Sequence, residues 1–207
     1  MAGRRTAIAI GAAGVLGALA VLMPWRGGGG DPFAACRTGQ IAGAADIGGP
    51  FTLVDGSGAT VTDADVITAP SLIYFGYTFC PDVCPLDVAR NAQAVDVLAE
   101  RGYRVTPIFI SIDPERDTPD AVDAFATNNH PRMIGLTGSP DQVAAASRAY
   151  RTFFRKHTDE DPEFYLVDHS TFTYFVTPED GFVEFFRREL DPAALADRVQ
   201  CFLDAGA

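Results

Sequence analysis

Positive charge is scarce in this 207-residue chain: 16 Lys and Arg stand against 27 Asp and Glu, and Lys156 is its one lysine. A formal net charge of -11 leaves no basic stripe of the kind that neutralises phosphates, which excludes a nucleic-acid binder. Histidine occurs only at positions 130, 157 and 169, and cysteine only at 36, 80, 84 and 201. Any site of soft or borderline donors must therefore come from very few side chains. Internal repeats are absent, and low-complexity sequence is confined to the N-terminal stretch. With 47% hydrophobic residues, the chain is not a disordered acidic tail either.

Long apolar runs are also missing, with one exception. Thr6 to Trp25 carries no charge, Arg4 and Arg5 precede it, and Arg26 follows. About twenty residues at 1.5 Å rise span the roughly 30 Å hydrocarbon layer. The arginine bias favours a cytoplasmic N-terminus, and Trp25 falls where an interfacial aromatic belongs. A cleaved signal peptide is the rival, given the small residues at 11–13 and 17–20. The run is long for one, however, and no clean small-x-small site precedes Arg26. Residues 1–26 are thus expected to be an uncleaved single-pass anchor in the inner (plasma) membrane. Either reading exports the remainder to the periplasm. Residues 27–47, opening on Gly27 to Gly30, Asp31 and Pro32, are expected to be a linker, and 48–207 one domain by length.

Within that domain, Phe51 to Val54 and Ala59 to Thr62 flank Asp55-Gly56-Ser57-Gly58, the pattern of a β-hairpin. Ser71 to Tyr77 and Val105 to Ile112 are apolar strands suited to a sheet centre. Helices are expected from Pro119 to about Asn128, from Pro140 to about Tyr150, and from Pro192 to Leu203. Their caps are Asp117 or Thr118, Ser139 and Asp191. Met133 to Leu136 is a short strand, and Phe172 to Thr177 with Gly181 to Phe186 is an antiparallel edge hairpin. Arg151 to Asp168 interrupts the alternation with a charged inserted loop around His157 to Pro162. Alternating strands and helices argue a layered α/β domain with helices on both faces.

Cys80 and Cys84 sit on the loop that leaves the first long strand and enters the helix of Leu86 to Leu98. A dithiol at that junction is the thioredoxin arrangement. Pro85 suits the first helical position, so Cys84 is expected near the N-cap, where free N–H groups favour a thiolate. Three residues separate the thiols instead of two. Across a regular helical turn such residues lie about 5–6 Å apart, which suits a soft metal ion better than an unstrained disulfide. Spacing alone leaves metal binding and redox chemistry open. His169, on the loop before the strand from Phe172, would lie beside the dithiol in this fold and complete a set of two thiolates and an imidazole. That set selects Cu(I), Cu(II) tolerates it, and zinc would accept it. His130 and His157 read as ordinary polar side chains.

The string Phe75-Gly76-Tyr77-Thr78-Phe79-Cys80-Pro81-Asp82-Val83-Cys84-Pro85 resembles the signature of the Sco/SenC copper chaperones. Ser111 to Pro119 and Val167-Asp168-His169-Ser170 extend the resemblance, which covers roughly Gly49 to Phe202. It implies a thioredoxin-like fold, an N-terminal membrane helix, and one copper ion held by Cys80, Cys84 and His169. It also implies partners: a copper-donor protein and cytochrome c oxidase subunit II, whose CuA site would receive copper or have its cysteines kept reduced by the Cys80–Cys84 dithiol. A peroxiredoxin-like peroxidase is disfavoured, because no peroxidatic cysteine stands in a suitable setting. Asp82 and Asp168, flanking the ligands, either tune the metal and attract a cationic partner or serve as a helix-start carboxylate and a solvent-facing residue. Asp113 to Pro119 has an adequate structural reason as a strand-to-helix turn, and no ligand is assigned there. Cys36 and Cys201 depart from the usual family pattern. In an oxidising compartment two such leftover cysteines are expected to pair, and no histidine near either supports a second metal site.

Overall fold

Two apolar runs form the centre of the sheet. The computed structural model describes residues 31–37, 47–158 and 164–206. Strand β3 (Ser71–Gly76) is buried along its whole length and pairs in parallel with β4 (Thr106–Ser111), Ser71 opposite Thr106 and Gly76 opposite Ser111. Parallel strands covered on both faces need such continuous apolar runs. β5 (Ile134–Thr137) adds in parallel to β4. On the far side of β3, β8 (Thr173–Thr177) pairs antiparallel and carries β9 (Gly181–Phe186). The expected N-terminal hairpin, β1 (Thr52–Asp55) with β2 (Thr60–Thr62), closes the other edge, giving the order β2-β1-β5-β4-β3-β8-β9. A single helical turn, α1 (Asp63–Val66), follows β2.

The connections through α2 (Val83–Glu100) and α3 (Pro119–Asn129) step the same way across the sheet, so the right-handed crossover rule puts both helices on one face. α5 (Pro192–Ala205) joins α2 there: Val95 and Leu98 meet Leu195, Val199 and Phe202 over Leu72 and Phe175. α4 (Pro140–Ala149) belongs to the step back across the sheet and covers the opposite face. Tyr150 at its end lies 5.4 Å, ring to ring, from both Phe75 and Tyr174. The caps match expectation: Thr118, Ser139 and Asp191 each accept a helix N–H ahead of a proline.

The insertion differs from a plain loop. Its ends pair as a separate antiparallel ribbon, β6 (Phe154–Lys156) with β7 (Val167–His169), in which Phe154 faces His169. Three-residue strands are too short for alternation to stand out beside the charged run that joins them. Residues 31–37, within the stretch expected as linker, pack on α5. Phe33 is buried 5.7 Å from the Phe202 ring, and Cys36 is bonded to Cys201 with the Cα atoms 5.7 Å apart. The expected pairing of these two cysteines is therefore present. Arg198 donates to the Cys36 carbonyl oxygen at 2.9 Å. The expected anchor, 1–26, lies outside the described residues. Among those that are described, no helix is long and apolar enough to cross a membrane.

Candidate metal centre

Sheet register brings the three donors together. β8 runs antiparallel to β3 with Thr173 opposite Tyr74. The chain just before β8 therefore passes the C-terminal end of β3, where Cys80 and Cys84 lie. Their sulfur atoms and a ring nitrogen of His169 all fall within 4.8 Å of one another. The His169 Nε2 is 3.2 Å from the Cys84 sulfur, while its Nδ1 is 2.9 Å from the Ser170 carbonyl oxygen. A carbonyl can only accept, so Nδ1 carries the proton and the Nε2 lone pair faces the thiols, as a metal ligand requires. The rings of Tyr74 and Tyr77 stand edge-on to the imidazole at 6.2 and 5.9 Å. Gly76 is needed here, since a Cβ on it would lie 3.0 Å from the Cys84 sulfur and 2.9 Å from the Tyr74 ring.

The helix starts earlier than its sequence suggests. Its N-cap is Asp82, so Pro85 falls in the first turn and Cys84 turns inward, fully buried. Cys80 lies in front of the helix end and receives the Cys84 N–H at 3.4 Å. The expected thiolate therefore moves from Cys84 to Cys80. The Cys80 pKa is lowered from 9.0 to about 3, first by a hydrogen bond with Cys84 and further by the N–H groups of Asp82 and Cys84, against the upward push of burial. Cys84 moves the other way, raised by that same hydrogen bond with Cys80 and by burial, so the pair shares one proton. Both cysteines are free thiols rather than a disulfide. Burial also raises Tyr77 to about 12, so its hydroxyl stays protonated beside Cys80.

A pH dependence follows. Between about 3 and 9.0 the unfolded chain holds a proton at Cys80 that the folded, metal-free chain has shed. Stability of the reduced protein should thus rise with pH across that window and decline as pH falls through it. Denaturant melts at several pH values should show this slope, and Cys80→Ser should flatten it. An unchanged slope in the variant would place the thiolate elsewhere.

The two flanking carboxylates both face solvent. In β7 alternate side chains point to opposite faces: His169 turns to the thiols, and Asp168 turns outward, 65% exposed, onto His157 at 2.7 Å. Asp82 is exposed and its side chain makes no cap hydrogen bond; only its backbone N–H reaches Cys80. His130 is buried and pairs with Asp96. The segment Asp113 to Pro119 holds the site more directly than a simple turn would. Asp117, fully buried, accepts from the Thr78 N–H at 3.0 Å, from the Thr78 hydroxyl, and from Ser111 at 2.6 Å. It thereby pins the strand end that leads to Cys80. Asp87, buried on α2, accepts a hydrogen bond from the Tyr74 hydroxyl at 3.0 Å, and burial pushes its carboxyl upward. The sequence offers Asp117 only as a candidate helix cap and does not mark Asp87 at all. The exposed large apolar side chains among the described residues are Phe79, Leu86, Phe153, Phe164 and Leu166. Phe79 and Leu86 lie within two residues of a ligand in sequence, and Phe153, Phe164 and Leu166 lie on or next to the hairpin that carries His169.

A dithiol ahead of a helix, faced by an imidazole from the segment before an antiparallel strand, marks a thioredoxin-like domain built to hold a metal ion. The chain belongs to the SCO1/SenC family, which matches residues 39–204. It is 57% identical over 175 residues to Protein SenC of Rhodobacter capsulatus, covering 84% of this chain and 79% of that protein. Against the mitochondrial SCO1 homolog 1 of Arabidopsis thaliana it is 43% identical, covering 80% of this chain but 49% of the plant protein. The chain thus spans about half the length of that mitochondrial relative. The crystal structure of Arabidopsis thaliana ScoI with copper bound is similar at a TM-score of 0.71 and 41% identity, covering 76% of this chain and 99% of that one.

Proposed function

We propose that this protein is a copper metallochaperone. It binds one copper ion, as Cu(I) or Cu(II), through Cys80, Cys84 and His169, and it serves assembly of the CuA centre of cytochrome c oxidase. The observation that carries this reading is the convergence of two sulfurs with an imidazole whose Nε2 lone pair is turned toward them. Two soft donors and one borderline donor favour copper over harder divalent ions. Support comes from the copper-bound Arabidopsis structure and from the description of the Sco family as cytochrome c oxidase assembly proteins. Copper is cargo here: it arrives from a donor protein and leaves to subunit II. The exposed apolar side chains around the site offer a rim for a protein partner to cover. The reduced protein should take up one copper per chain from a chelator and yield it to a CuA-type acceptor fragment. Binding of zinc in preference to copper, or of none, would sink the reading.

Localisation belongs to the same proposal: residues 6–25 anchor the chain in the inner membrane and the domain faces the periplasm. The uncharged run flanked by arginines supports it. The protein should stay with membranes through a carbonate wash and retain its N-terminal residues. Release into the wash would count against an anchor.

The asymmetry of the dithiol favours a second reading, a thiol–disulfide reductase for the acceptor's cysteines. Cys80 is the thiolate that attacks a partner disulfide, and Cys84 then displaces the partner from the mixed disulfide. Two electrons pass to the partner, two partner thiols are released, and a Cys80–Cys84 disulfide remains. This route does not require a metal-ligating His169, so a single turnover that survives His169→Ala while copper transfer does not separates the two.

A further inference from the structure

We infer that Asp113, Arg116, Lys156 and Tyr165 form a latch that sets the position of the His169 imidazole over the thiols. This rests on the reading of His169 as a metal ligand. The thiols belong to the main body, between a wholly buried strand and the helix packed on it. His169 belongs to β7, which pairs only with β6 in a ribbon separate from the seven-stranded sheet. The seating of that ribbon, with the three residues that join His169 to β8, therefore sets the distance from imidazole to sulfur.

The contacts that seat it converge on one carboxylate. Asp113, fully buried in the turn after β4, receives Lys156 Nζ of β6 at 2.8 Å and the Tyr165 hydroxyl at 2.7 Å, both from the hairpin. Arg116 pairs with the second oxygen of Asp113, donates to the Tyr165 carbonyl at 2.9 Å, and lies 3.7 Å from the centre of the Tyr165 ring. The same guanidinium reaches the other half of the site, 5.6 Å over Tyr77 and 5.1 Å over Phe79, the residues that lead into Cys80. Tyr77 in turn accepts the Val167 N–H at 3.3 Å. One cation thus touches the segment that bears the imidazole and the segment that bears the thiolate.

The one lysine of the chain sits at this point, its ammonium bridging Asp113 and Glu115 at 2.8 Å each. Buried ion pairs contribute more to geometry than to net stability, because desolvation offsets most of their attraction. Asp113, Arg116, Lys156 and Tyr165 touch neither sulfur nor imidazole, so they act as positioning residues.

The test compares Lys156→Met, Tyr165→Phe and Lys156→Arg in the full chain, each alone and combined with His169→Ala, using Cu(II) and Cu(I) as separate probes. Lys156→Met should weaken Cu(II) about tenfold or more, in the range seen when partners of a ligand are removed. It should also shift the thiolate-to-copper absorption band toward that of His169→Ala. Cu(I) affinity should change by less than about threefold, because the thiolates carry it. Lys156→Arg should restore the Cu(II) behaviour. Added to His169→Ala, Lys156→Met should have no further effect, since both act through the same imidazole. Tyr165→Phe deletes one hydroxyl, keeps the ring under Arg116, and supplies the same readings if Lys156→Met fails to fold. An unchanged band and affinity in a folded variant, or an equal loss in the His169→Ala background, overturns the latch. If His169→Ala itself leaves Cu(II) binding intact, the metal-ligand reading fails with it.

Discussion

Replacing Cys84 with serine should lower Cu(I) affinity by on the order of a thousandfold or more, because it removes one of the two soft donors that bind that ion. The substitution is nearly isosteric, so the loss reports ligation. Cys84 is fully buried beside His169, and Gly76 leaves just enough room for its sulfur. A serine hydroxyl there is a hard, neutral donor that does not ionise near neutral pH. Cys80→Ser should have a comparable effect and should also remove the site's preformed thiolate. His169→Ala should follow a different pattern, weakening Cu(II) more than Cu(I), since imidazole is the harder donor. Competition titrations against a chromophoric Cu(I) chelator measure these affinities. Wild-type affinity in Cys84→Ser would exclude a dithiolate site.

Removing the bridge between Cys36 and Cys201 should have the largest effect on stability. The two cysteines lie 165 positions apart, and loop-closure entropy for that separation gives about 5 kcal/mol, an upper value. Non-covalent contacts of the same segment persist in the variant: Phe33 still packs on Phe202, and Arg198 still reaches the Cys36 carbonyl. Urea melts of the Cys36→Ala, Cys201→Ala protein should therefore show a lower midpoint at a similar slope. After mild reduction, alkylation of the parent protein in denaturant should label two cysteines per chain, Cys80 and Cys84, while the Cys36–Cys201 bridge persists. A midpoint within error of the parent would show that the bridge adds nothing.

The central strands, the capped helices, the edge hairpins, the pairing of Cys36 with Cys201 and the meeting of Cys80, Cys84 and His169 could all be read in the sequence. Each has a local signal: a continuous apolar run, a cap followed by proline, two cysteines left over, a histidine just ahead of a strand. What escaped depends on direction. The backbone at Asp82, with φ -135° and ψ -80°, decides which sulfur lies in front of the helix, and spacing carries no trace of that angle. The sequence leaves open whether Asp168 turns to the site or to solvent, and the alternation of a strand points it away from the side of His169. The carboxylates that organise the site, Asp117 and Asp113, reach Thr78 and Tyr165 across 39 and 52 positions. Pairings of that range become visible only in the folded chain.

Fastening Cys36 to α5 also limits how far the metal site can travel. With residues 6–25 held in a bilayer, as proposed, the chain between Arg26 and Cys36 is nine residues, and with 31–35 packed on α5 its reach is below the roughly 30 Å of a fully extended chain. Opening the bridge and freeing the segment it holds would lengthen the leash to the 21 residues of 27–47. Effective concentration at a membrane-bound acceptor falls as about the three-halves power of such a length, so the longer leash dilutes the site roughly fourfold. A covalent bond that involves none of the three site residues would thus govern how often the site meets a membrane-bound partner.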